Sequence, residues 1–399
     1  MINKRVLVTY GWVRSAWGIV RNLARHGLDV YVGDTDKHFM ASLSRYSKGS
    51  FSYPQFRSKP DEFIACVIDF IKKYDIGTYI PCHEEILTVA KNIAKFPPDV
   101  KIPISNYDTI FKLYNKKESG LLVEKLSIPI PKTLRINDMA ELEEKIEYLK
   151  FPVIIKMQNS NGAHGVFFAH SKTELIKTYK EVVAKFCVHP HYPLIQEYVH
   201  GRIYAATLLA NQGEIIAQFM RRNIREKESF GGTCTKCESI HEPDVADYAK
   251  RIAQYMNLTG VAMFEFIVDE QANKKWLMEI NPRYWGTVGH DIDCGIEYPY
   301  YQYCIANNIN FTAPDSYPNG VKSRWIVGDI ISFFNRHKLA ENKWANIKSY
   351  IKLDDDFFLD FKVDDPIPFL WESFFYFRNY LRTKKVIKSE DTMLINFEQ

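Results

Sequence analysis

The sequence predicts a mixed α/β and α+β protein, and three observations lead there. The opening segment alternates short apolar strands with helices. A middle strand ends in a lysine ahead of a glycine-containing loop. Two later apolar strands, each carrying a glutamate, flank a polar turn. Alternation of the first kind builds a mostly parallel sheet, whereas strands joined by short turns pair antiparallel.

Residues 6–10 read as the first strand, Gly11 and a helix through Arg25 follow, and Gly27 ends that helix. Residues 28–34 give a second strand ending in Asp34, then helix 61–73 leads to a third strand at 77–81. The turn Gly11-Trp12-Val13-Arg14-Ser15-Ala16-Trp17-Gly18 lacks G-x-G-x-x-G, which leaves an anion contact at the helix start or a packing turn. His83, Glu84 and Glu85 follow the third strand at its C-terminal edge, where open α/β sheets place ligands. His83 or Glu84 therefore reads either as a substrate contact or as helix capping near solvent.

A boundary falls near 105–115, after Pro97-Pro98 and Ile102-Pro103. Helix 138–149 precedes a strand at 151–156, a polar loop through Gly162 and Gly165, a returning strand at 166–168, helix 172–185, and a strand at 194–199. Beyond residue 310 the chain turns aromatic. Its stretch 369–377 reads as an amphipathic packing helix or, with Arg378, Arg382, Lys384 and Lys385 beside it, as a membrane-surface contact.

Lys156 at the end of an apolar strand is costly unless it meets an anion. The loop after it, Asn159-Ser160-Asn161-Gly162-Ala163-His164-Gly165, offers backbone N–H groups to phosphate oxygens, although it is not a Walker A loop. Gln196-Glu197-Tyr198-Val199 has backbone groups suited to the edge of a planar base. Arg221 and Arg222 follow another strand, ahead of a loop at 231–233, and read as an anion clamp or as surface salt bridges. In the hairpin, pairing about Ala272 sets Glu265 opposite Glu279, and strand alternation puts Asn281 on the Glu279 face. Such an oxygen set suits magnesium; the plainer reading pairs Glu265 with a lysine and leaves Glu279 near solvent. Arg283 lies just beyond.

At 399 residues the chain has room for two or three domains, and its formal charge of +4 is too small for a nucleic-acid surface. No uninterrupted apolar run reaches membrane-spanning length, and Met1-Ile2-Asn3-Lys4-Arg5 leads straight into a strand without room for a secretory signal. Seven cysteines suit a reducing cytoplasm better than a disulfide framework, and Cys234-Thr235-Lys236-Cys237 reads as ordinary loop cysteines because no second pair follows.

Taken in order, Asn115-Lys116, Val153-Ile154-Ile155-Lys156, Gly162-Ala163-His164-Gly165, Gln196-Glu197-Tyr198-Val199, Glu265 and Glu279-Ile280-Asn281-Pro282-Arg283 resemble an ATP-grasp protein over about residues 5–310. The likeness is to the carboxylate–amine ligase-like branch related to carbamoyl-phosphate synthase large-chain modules. It implies an ATP-grasp fold with a Rossmann-like pre-grasp domain at 1–110 and two lobes enclosing ATP at 111–310. The smaller, mobile lobe would lie at about 120–192, and an aromatic-rich extension at 311–399.

The resemblance also implies residue roles. Lys116 and Lys156 reach nucleotide phosphate, and the lid bearing Ser160, Gly162, His164 and Gly165 covers the β- and γ-phosphates. Glu197, Tyr198 and Val199 form the adenine hinge. Glu265, Glu279 and Asn281 hold Mg2+, with Mn2+ as an alternative, and Arg283, Lys156 and Arg222 act on the transferring group. The implied reaction joins a small carboxylic acid to an amine through an acyl phosphate, in a cytoplasmic enzyme for which a homodimer is compatible. Ile203 departs from the pattern, since relatives commonly carry an acid there for the ribose hydroxyls.

Overall fold

The computed structural model describes residues 2–147, 149–159, 165–186, 192–228, 231–337, 339–352 and 354–383. Three sheets form its frame. The first is parallel, in the order Ser47–Ser52, Asp29–Asp34, Arg5–Val8, Thr78–Ile80. Helices Arg14–Arg25 and Pro60–Tyr74 pack on it through Trp17, Val20, Phe63 and Val67. The strand Ser47–Ser52 is absent from the sequence prediction because SKGSFS, with Phe51 its single apolar side chain, shows no apolar run, as an edge position tolerates. At Gly11 the backbone N–H donates to the Gly33 carbonyl at 3.0 Å, and a side chain there would run into the Phe39 ring. Packing fixes the turn at Gly11, while Trp12, Val13, Arg14 and Ser15 at the helix start line the cavity described below.

The second sheet is antiparallel, in the order Thr133–Arg135, Leu194–Glu197, Val153–Lys156, Val166–Ala169, and has its own core around Val153, Ile155, Leu175, Tyr179 and Ile195. Ahead of it, the helix predicted at 138–149 is only a 3-10 turn at Met139–Glu141 followed by Leu142–Lys145.

The third sheet has seven strands, in the order Lys274–Asn281, Gly260–Asp269, Arg202–Asn211, Glu214–Glu228, Gly231–Ser239, Lys322–Arg324, Phe357–Phe358. One face shares the core of the parallel sheet through Ala205, Leu209, Phe219 and Met263; the other is covered by helix Pro243–Tyr255. Cys234 and Cys237, expected in a loop, sit buried on the strand Gly231–Ser239, which pairs along Glu214–Glu228.

Residues beyond 310 are built into this frame. Strand Lys322–Arg324 joins the large sheet, and helix Ile326–His337 is tied to it by Arg225, whose Nε and Nη2 donate to Asp329 at 2.8 and 2.7 Å. Asp365 accepts from the Trp17 indole at 2.7 Å, and Asp364 pairs with Arg21 at 2.8 Å, which anchors the start of helix Ile367–Thr383 on the parallel-sheet side. Among the described residues no helix is long and apolar enough to cross a membrane.

Candidate nucleotide and substrate site

The hairpin Gly260–Asp269/Lys274–Asn281 pairs Glu265 with Glu279, Phe264 with Ile280 and Met263 with Asn281. A bulge follows Glu265, so Met278 is the extra residue and both Met278 and Glu279 reach the same cavity. Asn281 Nδ2 donates to Glu279 Oε1 at 3.0 Å. Burial, with the facing Glu279 charge, pushes the Glu265 carboxyl up to about 8. Burial works against Glu279 as well, but Lys116 and Asn281 outweigh it and hold its pKa below the usual carboxylate value. Two largely covered carboxylates facing one another repel unless one is protonated or a cation lies between them. Two carboxylates and a carboxamide suit magnesium, which keeps waters and takes its remaining ligands from phosphates. No cluster of three or more His, Cys, Asp or Glu with metal-holding geometry occurs among the described residues, so phosphate or water would have to complete the shell.

Lys116 opens helix Lys116–Lys125, whose cap is Asn115: the Asn115 side chain accepts from the Lys117 and Glu118 N–H groups, each at 3.0 Å. That cap sets Lys116 Nζ 3.6 Å from Glu279 Oε2. Lys156 ends its strand and donates to Gln196 Oε1 at 2.7 Å. Burial, with Lys116 nearby, lowers the Lys156 ammonium to about 8. Glu197, Tyr198 and Val199 line the same cavity, with the Glu197 N–H donating to Lys132 O at 2.9 Å and the Tyr198 N–H to Pro152 O at 3.2 Å. Ile154, Phe168, Ile203 and Ile267 add apolar wall, and Ile203 pairs with Ile267 across the sheet. Ser160, Gly162 and His164 lie outside the described residues; Gly165 accepts from the Met157 N–H at 2.9 Å.

Arg222 is a correction. Its side chain points away from this cavity and is held by Glu238 at 2.8 Å and Glu270 at 3.6 Å. The neighbouring Arg221 lines the cavity instead, 3.9 Å from Glu265 and bonded to Asn223. Across the sheet Arg221 pairs with Ala205, Ala205 with Glu265, and Glu265 with Glu279, so one row carries all three charged groups. The small side chain of Ala205 leaves the space through which Arg221 reaches Glu265. Alternation along one strand separates Arg221 from Arg222, but only the four-strand register says which of them faces the carboxylates.

The cavity measures about 490 Å³, within the range of small-molecule sites. Arg283 lines it, buried, with Nη1 donating to the Tyr284 carbonyl at 2.7 Å. His83 also lines it, stacked on Tyr10 at 4.5 Å, and burial with Arg283 and Arg57 nearby keeps it well below the usual histidine value and neutral. Glu84 is turned to Arg57 and Tyr114 instead. Sequence reasoning missed Arg14 and Glu372, which come from opposite ends of the chain to the same wall. Arg14 stacks 3.4 Å over the Trp325 ring and stands 3.6 Å from Glu372. Burial and Asp360 push the Glu372 carboxyl up to about 8. Arg14 Nε, His83 Nδ1, Arg221 Nε, Asn223 Nδ2, Arg283 Nε and Glu372 Oε2 are all buried without a hydrogen-bond partner. Buried orphans are few in native proteins, and the four N–H groups of Arg14, Arg221, Asn223 and Arg283 among them suit an oxygen-rich ligand.

A strand-borne carboxylate pair, two lysines and the Glu197–Val199 segment thus line one cavity. The sequence model of the ATP-grasp domain matches residues 114–287, so the chain carries an ATP-grasp domain. The fold agrees: a biotin carboxylase–βγ-ATP complex from Campylobacter jejuni superposes with a TM-score of 0.67 at 14% identity, covering 80% of this chain and 74% of that one. Among curated relatives, the C-terminal section of the carbamoyl phosphate synthase large chain of Methanopyrus kandleri is 27% identical over 199 residues, which is 47% of this chain but 36% of the relative. D-alanine–D-alanine ligase B of Clostridium tetani is 24% identical over 152 residues, 35% of this chain and 41% of that protein. The chain thus spans well under half the length of these curated relatives.

Proposed function

We propose that the protein is an ATP-dependent carboxylate–amine ligase. The single observation that supports this most is the row Arg221, Glu265, Glu279 facing Lys116, with Lys156 and Arg283 on the same cavity wall. In this reading Lys116 and Lys156 hold the triphosphate, and the Glu197–Val199 backbone meets the adenine edge. A carboxylate oxygen of the acid attacks the γ-phosphorus, and ADP leaves with the electrons of the broken P–O bond. The amine nitrogen then attacks the acyl carbon, loses a proton, and expels inorganic phosphate to leave an amide. Glu265, Glu279 and Asn281 would hold magnesium, which neutralises charge building on the phosphate oxygens. Arg283 and Arg221 are placed to stabilise the transferring group, because buried guanidinium groups need no reorganisation as charge develops. Closure of the lobe at about 120–192 would keep water from the acyl phosphate.

The relative named D-alanine–D-alanine ligase supports a ligase reading, since the two reactants in its name carry a carboxyl and an amine. The test is to incubate the protein with acid–amine pairs, ATP and magnesium, and to follow ADP together with product mass. ADP with a new amide is the expected result. A stable phosphorylated acceptor without amide identifies a kinase, and nucleotide binding without ADP release identifies a non-catalytic protein.

A further inference from the structure

Helix Ile367–Thr383 has two unlike faces. Glu372 and Tyr376 are buried, whereas Leu370, Phe374, Phe377 and Leu381 share the outer face at helical spacing, with 61%, 59%, 60% and 50% exposure. The preceding helices repeat the pattern, with Ile330 and Phe334 standing out of Ile326–His337, and Trp344 and Ile351 out of Lys343–Ile351. Twelve of the sixteen exposed large hydrophobic side chains among the described residues lie between Ile330 and Leu381. Isolated exposed apolar residues are ordinary, but concentration into stripes marks a contact surface.

The exposed charges on the helices themselves are of one sign, with exposed Glu341 just ahead of Lys343–Ile351 and exposed Asp356 after it. Lys343, Lys348, Arg378 and Arg382 are exposed. The acids of the same three helices are turned inward, Glu372 toward Arg14 at 3.6 Å and Asp329 onto Arg225 at 2.7 Å. An apolar stripe with Trp and Phe, flanked by cations and with no exposed acid on the helices themselves, is the chemistry of an interfacial helix on anionic lipid. The stripe from Leu370 to Leu381 runs about 16 Å, too short to span a bilayer and suited to lying in its surface.

We propose that the outer face of these C-terminal helices docks on an anionic phospholipid surface. The inference stands apart from the ligase reading, because none of the outer-face residues lines the cavity. The test is flotation of the full chain with phosphatidylcholine vesicles, with or without phosphatidylglycerol, at low and high salt. Expected is binding to the anionic vesicles alone, released by salt, and lost in Phe374→Glu/Phe377→Glu. The pair Arg378→Gln/Arg382→Gln, which leaves the apolar stripe intact, weakens binding roughly fivefold per charge removed. Melting temperature and binding of a fluorescent ATP analogue, unchanged in both variants, show that the fold is kept; if the phenylalanine pair does not fold, the arginine pair decides. No flotation at low salt overturns the proposal. So does binding indifferent to lipid charge, or a concentration-dependent dimer that Phe374→Glu/Phe377→Glu abolishes, which assigns the face to a second copy.

Discussion

Two parts of the cavity wall are built in opposite ways. The part proposed for nucleotide draws on three local units: the hairpin with Glu265 and Glu279, the strand ending at Lys156, and the segment Glu197–Val199. The other part gathers Arg14, His83, Arg221, Arg283 and Glu372 from five separate stretches of the chain. Local units carry their geometry in the residue pattern, since a hairpin register or a capped helix start follows from nearby residues. A wall gathered from distant stretches is written nowhere locally. Both parts hold ion pairs and hydrogen bonds, such as Lys156 on Gln196 in the first and Arg283 on the Tyr284 carbonyl in the second, but the buried polar atoms left without a partner lie in the second.

The largest effect should come from the nucleotide part. Glu279→Gln removes a ligand charge while keeping size, and turnover at limiting magnesium should drop roughly a hundredfold with melting temperature little changed. Unchanged turnover would remove Glu279 from the metal role. The neighbouring arginines sharpen the contrast between faces. Arg221→Met takes away a buried cation beside Glu265 and should cut turnover well below that of Arg222→Met, whose partly exposed ion pairs are worth at most about 1 kcal/mol of stability. Equal losses in the two variants would mean that the register of the sheet has been misread.

A third effect is a pH dependence. Glu265 is raised in the folded chain from 4.5 to about 8, so its protonated form is favoured by folding. Its contribution to stability is complete below the unfolded value and is lost as pH rises through about 8. Metal-free protein should therefore lose melting temperature from pH 5 to 8, magnesium should restore it at the upper end, and Glu265→Gln should flatten both responses. Identical pH slopes in wild type and variant would show that Glu265 is not the group involved. The smallest effect concerns Ile203, on the apolar wall near the hinge. Ile203→Glu should tighten ATP by up to about 1 kcal/mol relative to 2′-deoxy-ATP in calorimetry, unless the cost of burying the new carboxylate cancels it. The same response to both nucleotides would leave Ile203 as packing.

Much of the frame was readable from the residues. Arg14–Arg25, Pro60–Tyr74 and Lys172–Phe186 stand within a residue or two of the predicted helices, because apolar periodicity and turn residues set them locally. The edge strand Ser47–Ser52 was not readable, since small polar residues become strand only when Asp29–Asp34 offers them a partner. The extension beyond 310 was readable as an aromatic amphipathic helix but not as a cavity wall; ties such as Asp365 to Trp17 join residues more than three hundred positions apart.

The sequence by itself determined the alternating strands and helices and the lysines at the starts and ends of elements, because each depends on neighbours within one or two turns of chain. The opposition of Glu265 and Glu279, expected from a turn centred on Ala272, is reached in a hairpin that turns between Gln271 and Ala272 only because Met278 bulges out. Only the tertiary structure decided that Arg221 rather than Arg222 faces the carboxylates, and that Arg14 and Glu372 meet across the same cavity. Those outcomes depend on sheet register and on packing between distant segments, where a shift of one residue turns a side chain to the opposite face.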